Sequence, residues 1–506
     1  MDHFSRRSFA ERTARWALIA LGCFAFASFL HSVEWGLQGD TYSLIQGARG
    51  ALSCLREGKV GDCPAAGQFS FLQLFWSGIW VALGLGDSAI LRVLGGINLL
   101  ISIHCVVLGL RALEKLEPLP SLQVPFFLRY GQFLWLAVWI GGCLPWYART
   151  TFTEILSAWV LLLLWLTPRH SRRLEWTLAF ASTTLKETAW VLVIPLLLFK
   201  PWTDLKERED AGRRVPRVLP LLSLSAVAAG MIVNFGLNIF RFGSWKNLAY
   251  LHPTHFTPDL ETRWVFFQGI WLAPLGGIIP FLPVFFGLWC IGWVFFFSRV
   301  FRIPAVPRDS RASSNHRSTW GEPDPRTLLF FLILPLTQSL LLSGWFAPLG
   351  WKTWGPRLMI PLLPLTALGL LISLARVSHH PKQPLLSFKL STFSSLRSVI
   401  AVLFTLGLGF PHLKAVFDPP SLDRLLTLPL SGCTEVTVET STDQYYRCTK
   451  EALAVKWSPQ YFREYVGLPG APELRGLLLL VLLFSGALLY RSLSAPQKTN
   501  SKTKPL

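Results

Sequence analysis

Charged residues interrupt this otherwise apolar chain at a few places, and each place has a chemistry that its residue types permit. Glu34 and Asp40 lie in Glu34-Trp35-Gly36-Leu37-Gln38-Gly39-Asp40-Thr41-Tyr42, directly after a first apolar run. A carboxylate there suits a general base, which must sit at the membrane surface if its substrate is presented by a lipid. A solvated loop acid, or an N-cap of a helix over 41–55, explains Asp40 equally simply, and capping and catalysis are compatible. Arg149 and Glu154 flank the turn Trp146-Tyr147-Ala148-Arg149-Thr150-Thr151-Phe152-Thr153-Glu154, where a structural ion pair is the competing explanation. Lys186 and Glu187 sit in Thr183-Thr184-Leu185-Lys186-Glu187-Thr188, a turn with no need of a lysine; an ammonium at that depth suits a phosphate. Arg357 closes Trp351-Lys352-Thr353-Trp354-Gly355-Pro356-Arg357, where a fork-shaped guanidinium can hold a phosphate by two hydrogen bonds, with snorkelling as the alternative. Between Arg241 and Arg263 stand Trp245, Lys246, His252, His255 and Asp259. His252 and His255 have metal-compatible spacing only on a helix, and Pro253 between them opposes one, so no metal site is read there.

The elements that position these residues are read from composition and charge. Of 506 residues, 51% are hydrophobic and only 15% charged, which is too apolar for a set of soluble domains. The net charge of +19 does not indicate nucleic acid, because Lys and Arg lie between apolar runs and not on a polar domain. The expected fold class is an all-α polytopic membrane protein. Spans are expected over 16–33, 88–110, 126–145, 155–167, 174–183, 188–199, 218–240, 266–297, 327–343, 358–374, 398–410 and 474–490, about twelve in all. The first run follows Arg6, Arg7, Arg12 and Arg15, as a signal peptide would, but no small-x-small pattern follows it, so a retained span is expected.

Residues 174–199 have the length of one helix, yet Arg169, Arg172 and Arg173 precede them and Lys200, Lys206 and Arg208 follow. Both basic groups belong in the cytoplasm, so the chain must turn around between them, at Lys186. The same logic makes 126–167 a pair that turns before Glu154. Residues 69–85 are apolar enough to span, but a span there would place Arg111 and Lys115 outside. They are expected as a helix lying at the outer interface, ended by Gly84-Leu85-Gly86.

Cys23, Cys105, Cys143 and Cys290 fall in spans, whereas Cys54 with Cys63 and Cys433 with Cys448 form close pairs in outer loops, where an oxidising compartment favours disulfides. Neither pair has zinc-site spacing. The organisation expected is a cytoplasmic N-terminus over 1–15, a transmembrane domain over 16–410 whose first outer loop covers 34–87, an outer cap over 411–473, and a last helix with a cytoplasmic tail over 474–506. Residues 308–324 and 494–506 have the composition of disordered linkers.

This arrangement resembles the GT-C fold glycosyltransferases, the superfamily of protein O-mannosyltransferases and bacterial aminoarabinose transferases, in its lipopolysaccharide sugar transferase-like branch. The resemblance covers most of 16–374 and is one of placement, carried by short motifs. They are Gly39-Asp40-Thr41-Tyr42 after the first span, the interfacial helix 69–85, Asp87-Ser88-Ala89-Ile90-Leu91-Arg92, Thr184-Leu185-Lys186, and Trp354-Gly355-Pro356-Arg357 leading to Pro361 and Pro364. The family's acid is often paired with a second one, but Thr41 follows Asp40 here, so a second acid falls to Glu34, to Glu154 or to neither.

The resemblance implies inverting transfer of a sugar from a polyprenyl-phosphate donor to a glycan, lipid or protein acceptor on the outer face of the membrane. Asp40 is then the catalytic base, and Lys186 and Arg357 bind the donor phosphate. Glu34, Tyr42, Arg92, Arg149, Glu154 and Glu187 support them. No cofactor is implied, and a divalent metal is neither required nor excluded. The partners are the donor, the acceptor and the bilayer, without nucleic acid; in a bacterium the place is the inner membrane, with both termini cytoplasmic. A lipid-linked oligosaccharide polymerase or ligase shares the substrate class but usually has a longer late outer loop than 241–263. A lipid or solute transporter needs polar mid-span residues, and here these are few, Asn98, His104, Asn234 and Gln338 among them.

Overall fold

The computed structural model describes residues 39–116, 126–149, 153–167, 171–209, 219–248, 250–273, 276–300, 325–349, 356–378 and 441–453. Every extended element among them is a helix. Three, α3 (Asp87–Glu114), α9 (Leu219–Phe242) and α13 (Pro325–Leu342), are long and apolar enough to cross a membrane. The chain is an all-α membrane protein. The spans expected over 16–33, 398–410 and 474–490 lie outside the described residues, as does most of the expected cap.

Before α3 lie α1 (Gly39–Arg56) and α2 (Phe71–Ala82). The latter is a helix within the stretch 69–85 where one is expected. It stops where Leu83 leads into Gly84, whose φ of 76° is a conformation that L side chains rarely adopt. The helix expected over 41–55 begins earlier, at Gly39, so Asp40 lies in its first turn and not before it.

The chain does turn at Lys186. Helix α7 (Arg172–Leu185) ends there, Glu187–Ala189 form a 3-10 turn, and α8 (Trp190–Glu209) leaves. The direction of α8 follows from the helix after it. Glu175 bonds Ser223, Trp176 Nε1 donates to Ser225 Oγ at 3.3 Å, and Asn234 Nδ2 donates to the Thr183 carbonyl at 2.7 Å. Contacts that rise together in both helices make α7 and α9 parallel, so α8 must carry the chain back between them.

The expected span 126–145 consists of α4 (Phe126–Ile140) and a short α5 (Leu144–Arg149), followed by α6 (Glu154–Leu166). Two further expectations are corrected. The run 266–297 is not one helix but α10 (Leu260–Leu272), α11 (Ile278–Phe281) and α12 (Pro283–Val300). Pro274, Gly276, Gly277 and Pro283 account for the breaks, since proline lacks the N–H donor and restrains the residue before it. The expected span 358–374 starts later, as α14 (Leu363–Ser378), after a 3-10 turn Arg357–Met359. Pro361 separates the two, and Pro364 fits the first turn of α14.

Helices α13 and α14 are antiparallel, because Phe331 meets Gly369 while Ser339 meets Met359. Arg357 therefore lies at one end of the pair, and Arg326 and Arg376 at the other. Likewise Arg172 and Arg173 begin α7 far from Lys186, and Arg111 and Lys115 end α3 far from Asp87.

Close approach of helices rests on glycine. A Cβ on Gly230 of α9 would stand 2.0 Å from Thr183 Oγ1 of α7, whereas one on Gly236 meets nothing within 4 Å. Gly230→Leu is expected to destabilise the detergent-solubilised protein by about 1–3 kcal/mol or more through overpacking, and Gly236→Ala to leave it almost unchanged. Thermal unfolding of the two variants checks this; equal melting temperatures would contradict the α7–α9 contact.

Candidate functional site

Glu154 opens α6, where a carboxylate is favoured by the helix dipole, but its side chain is only 2% exposed. One of its oxygens, Oε1, accepts from Arg357 Nε at 2.9 Å and lies 3.6 Å from Lys186 Nζ. The other, Oε2, is buried without a hydrogen-bond partner. Burying a carboxylate costs several kcal/mol, and a cation at this range returns about 4–5 kcal/mol in a medium of effective dielectric near 20. One cation roughly offsets the burial, and two approach this carboxylate. The cations remain partly open, Lys186 at 28% and Arg357 at 12% side-chain exposure.

The backbone around this cluster is held by α2 and α9. Ser70, just before α2, receives the Glu187 N–H on its hydroxyl at 3.1 Å. Its own N–H donates to Gln73 Oε1 at 3.0 Å, and Gln73 Nε2 bonds the hydroxyl of Thr153, the residue preceding Glu154. Asn234 of α9 joins the same layer, taking the Phe71 N–H on Oδ1 at 2.9 Å while its amide holds Thr183. Glu187 accepts from Asn247 Nδ2, 3.2 Å from both carboxylate oxygens, and from Arg241 Nη2, at 3.4 Å.

Lys186, Arg357 and Glu154, singled out by sequence, are thus in one cluster, with Glu187 beside it. Arg149 ends α5, but its side chain is outside the described set, as is that of Asp40; Glu34 lies wholly outside it. The turn holding Asp40 leads to Leu44, which packs on Phe69 and Leu74 next to Ser70. Tyr42 is exposed. Arg92 is exposed on α3. Asp87 pairs with Arg49 of α1.

Sequence reasoning missed Arg241, Asn238 and Asn247. Arg241 stood as a loop boundary, yet it is buried, and the signal for it was an arginine directly continuous with an apolar span. His252 and His255 flank a single 3-10 turn with ring centroids 5.7 Å apart, and His255 stacks on Phe346. No group of three or more His, Cys, Asp or Glu suited to a metal occurs among the described residues. The expected Cys54–Cys63 disulfide is present, and Cys448 is disulfide-bonded, with its expected partner Cys433 outside the described residues.

The sequence matches no protein-family model and no curated protein, and the fold matches no solved structure.

Glu154→Gln removes the charge that both cations share while keeping the side chain's shape. It is expected to cost about 3–5 kcal/mol of stability, because it removes the charge that pairs with both cations in a buried place. Arg92→Gln, at an exposed position, is expected to stay within about 0.5 kcal/mol. Denaturant or thermal unfolding in a defined detergent compares them, and a Glu154→Gln variant as stable as Arg92→Gln would refute the shared-carboxylate arrangement.

Proposed function

We propose that the protein is a GT-C-like, multi-pass membrane glycosyltransferase that moves a sugar from a polyprenyl-phosphate donor to an acceptor hydroxyl, with inversion. Its architecture on this reading has about twelve spans, both termini and the basic helix ends in the cytoplasm, and the Glu154 cluster on the outer face. In a bacterium this is the inner membrane. What carries the reading is the meeting of Lys186 and Arg357, from separate elements, on one buried carboxylate. The position of Arg111, Lys115, Arg172, Arg173, Arg326 and Arg376 at the opposite helix ends supports the orientation.

The charges suit the reaction. Lys186 and Arg357 are the cations, and a sugar–phosphate–prenyl diester is an anion of the kind that an ammonium and a guanidinium hold. In the displacement the acceptor oxygen bonds to the anomeric carbon, and the bond from that carbon to the phosphate oxygen breaks. The electron pair stays on the phosphate, whose charge grows from one to two. The cations therefore hold the leaving group more tightly in the transition state than in the donor, which is the condition for rate acceleration. The acceptor proton passes to a carboxylate, assigned to Asp40. Glu154, engaged with both cations, is a positioning group and not the second acid.

The test is transfer of labelled sugar from a panel of polyprenyl-phosphate sugars by purified protein in lipid nanodiscs. Arg357→Gln is expected to lower transfer by about 10²–10³, as loss of one preorganised donor to developing charge does. Asp40→Asn is expected to abolish it without reducing membrane expression. Wild-type rates in Arg357→Gln would remove that residue from the phosphate, and retained activity in Asp40→Asn would remove Asp40 from the role of base.

A further inference from the structure

The Lys186–Glu187 turn is held by a guanidinium that the proposed chemistry does not use. Arg241, in the last turn of α9, has a side chain with 0% exposure. Its Nη1 donates to the carbonyls of Gly67 at 2.9 Å and Phe69 at 2.6 Å. Its Nη2 donates to Asn238 Oδ1 and to Glu187 Oε1, the latter at 3.4 Å. The fork geometry of arginine lets one residue grip two strands of chain, and a lysine has no equivalent.

The same residue receives the disulfide loop on its backbone. The Cys63 N–H donates to the Arg241 carbonyl and the Gly61 N–H to the Phe240 carbonyl, both at 2.9 Å. Cys54 and Cys63, nine residues apart, close this loop covalently against the end of α1. Beyond Cys63 the chain runs through Gly67 and Phe69, which Arg241 binds, and Gln68, whose carbonyl accepts from Asn247 at 3.3 Å. Ser70 follows, and its hydroxyl receives the Glu187 N–H. The contacts that reach Glu187 from Arg241, Asn247 and Ser70 therefore all depend on where residues 67–70 lie. Arg241 and the disulfide set that position from two sides.

We infer that Arg241 is a positioning residue for the Lys186–Glu187 turn, and that the Cys54–Cys63 disulfide acts on this turn through Arg241 and residues 67–70. The disulfide thus fixes Lys186 beside Glu154. The consequence for donor binding rests on the proposed function; the coupling between the two places does not.

Hydrogen exchange of the full chain in nanodiscs measures the coupling directly, on peptides covering 183–188 and, as a reference, α12 and α13. The variants are Cys54→Ser with Cys63→Ser, Arg241→Gln, and all three changes together. The disulfide-free protein and Arg241→Gln are each expected to exchange about tenfold faster at 183–188 with the reference unchanged, as a locally opened segment does. Combining them is expected to add less than about twofold, since coupled sites are not additive. Unchanged exchange at 183–188, or effects that multiply independently, would overturn the inference.

Should Arg241→Gln fail to accumulate, Asn238→Ala replaces it; this removes the neighbour that steadies Nη2, and the same non-additivity is expected. In the transfer assay the disulfide-free protein is expected to show kcat/KM for the polyprenyl-phosphate sugar lowered about tenfold, because a displaced cation holds the phosphate less well in the donor and in the transition state. An unchanged kcat/KM would contradict positioning of the donor-binding cation. Faster exchange without transfer by the wild-type protein would support the coupling and defeat the glycosyltransferase reading. Transfer by the wild type with unchanged exchange in the variants would do the reverse.

Discussion

One carboxylate oxygen, Glu154 Oε1, organises this end of the molecule. It draws an arginine from the 3-10 turn before α14 and a lysine from the turn after α7 to the first residue of α6. None of the three elements is adjacent to another in the chain, so each must arrive with its backbone already placed. A buried charge tolerates no looseness, because an ion shifted away from its partners is left with an uncompensated desolvation cost of several kcal/mol. Two breaks in helical structure occur where this demand is made. Lys186 is extended, with φ −148° and ψ 120°, between two helices, and Arg357 lies in a turn that Pro361 keeps apart from α14.

Away from that end the helices associate by a different rule. In lipid there is no hydrophobic gain from bringing two apolar helices together, so close packing decides, and small residues allow it. Gly109 lies against the Trp135 indole, Gly369 against the Phe331 ring, Gly292 against Leu332 and Gly230 against Thr183. In each case a side chain of one helix fills the space that a glycine leaves on another. The polar groups in this layer serve the same contacts: Trp135 Nε1 donates to the Val106 carbonyl at 3.0 Å and Trp289 Nε1 to the Leu332 carbonyl at 2.9 Å. Indoles thus tie neighbouring helices together without introducing charge.

Much of this was legible in the sequence where charge and apolarity conflict. The turn at Lys186 could be read because basic residues on both sides of 174–199 cannot occupy opposite faces, and the parallel packing of α7 and α9 requires the same reversal. Lys186, Glu154 and Arg357 could be singled out because a charge at the edge of an apolar run is costly unless it is used. That they share one oxygen was not legible, since partnership over 203 residues leaves no local trace. Arg241 was missed for a related reason: it looks like any arginine flanking a span, and only tertiary structure turns it inward onto the carbonyls of 67 and 69. The expected single helix over 266–297 failed because hydropathy averages over Pro274, Gly277 and Pro283, whose backbone restrictions decide the matter.

The loops at the site end need stronger anchors than the helix middles, because there water competes for every hydrogen bond and packing alone holds little. Two devices supply them. The Cys54–Cys63 bond ties the loop after α1 back onto that helix, and the N–H groups of Gly61 and Cys63 donate to the Phe240 and Arg241 carbonyls of α9. On the other side α15 (Thr442–Leu453), which carries the disulfide-bonded Cys448, lies against 254–269 and 345–346. Tyr446 donates to the Thr254 carbonyl at 2.8 Å, Tyr445 to the Phe346 carbonyl at 3.0 Å, and Leu453 rests on Gly269. Residues 344–346 in turn pair with 255–257, so α15 fastens two loops with one helix. The segment it fastens leads on toward Arg357, as the segment fastened by Cys54–Cys63 leads to the partners of Glu187. A protein of this kind relies on covalent and buried polar anchors at its loops and on glycine packing between its helices.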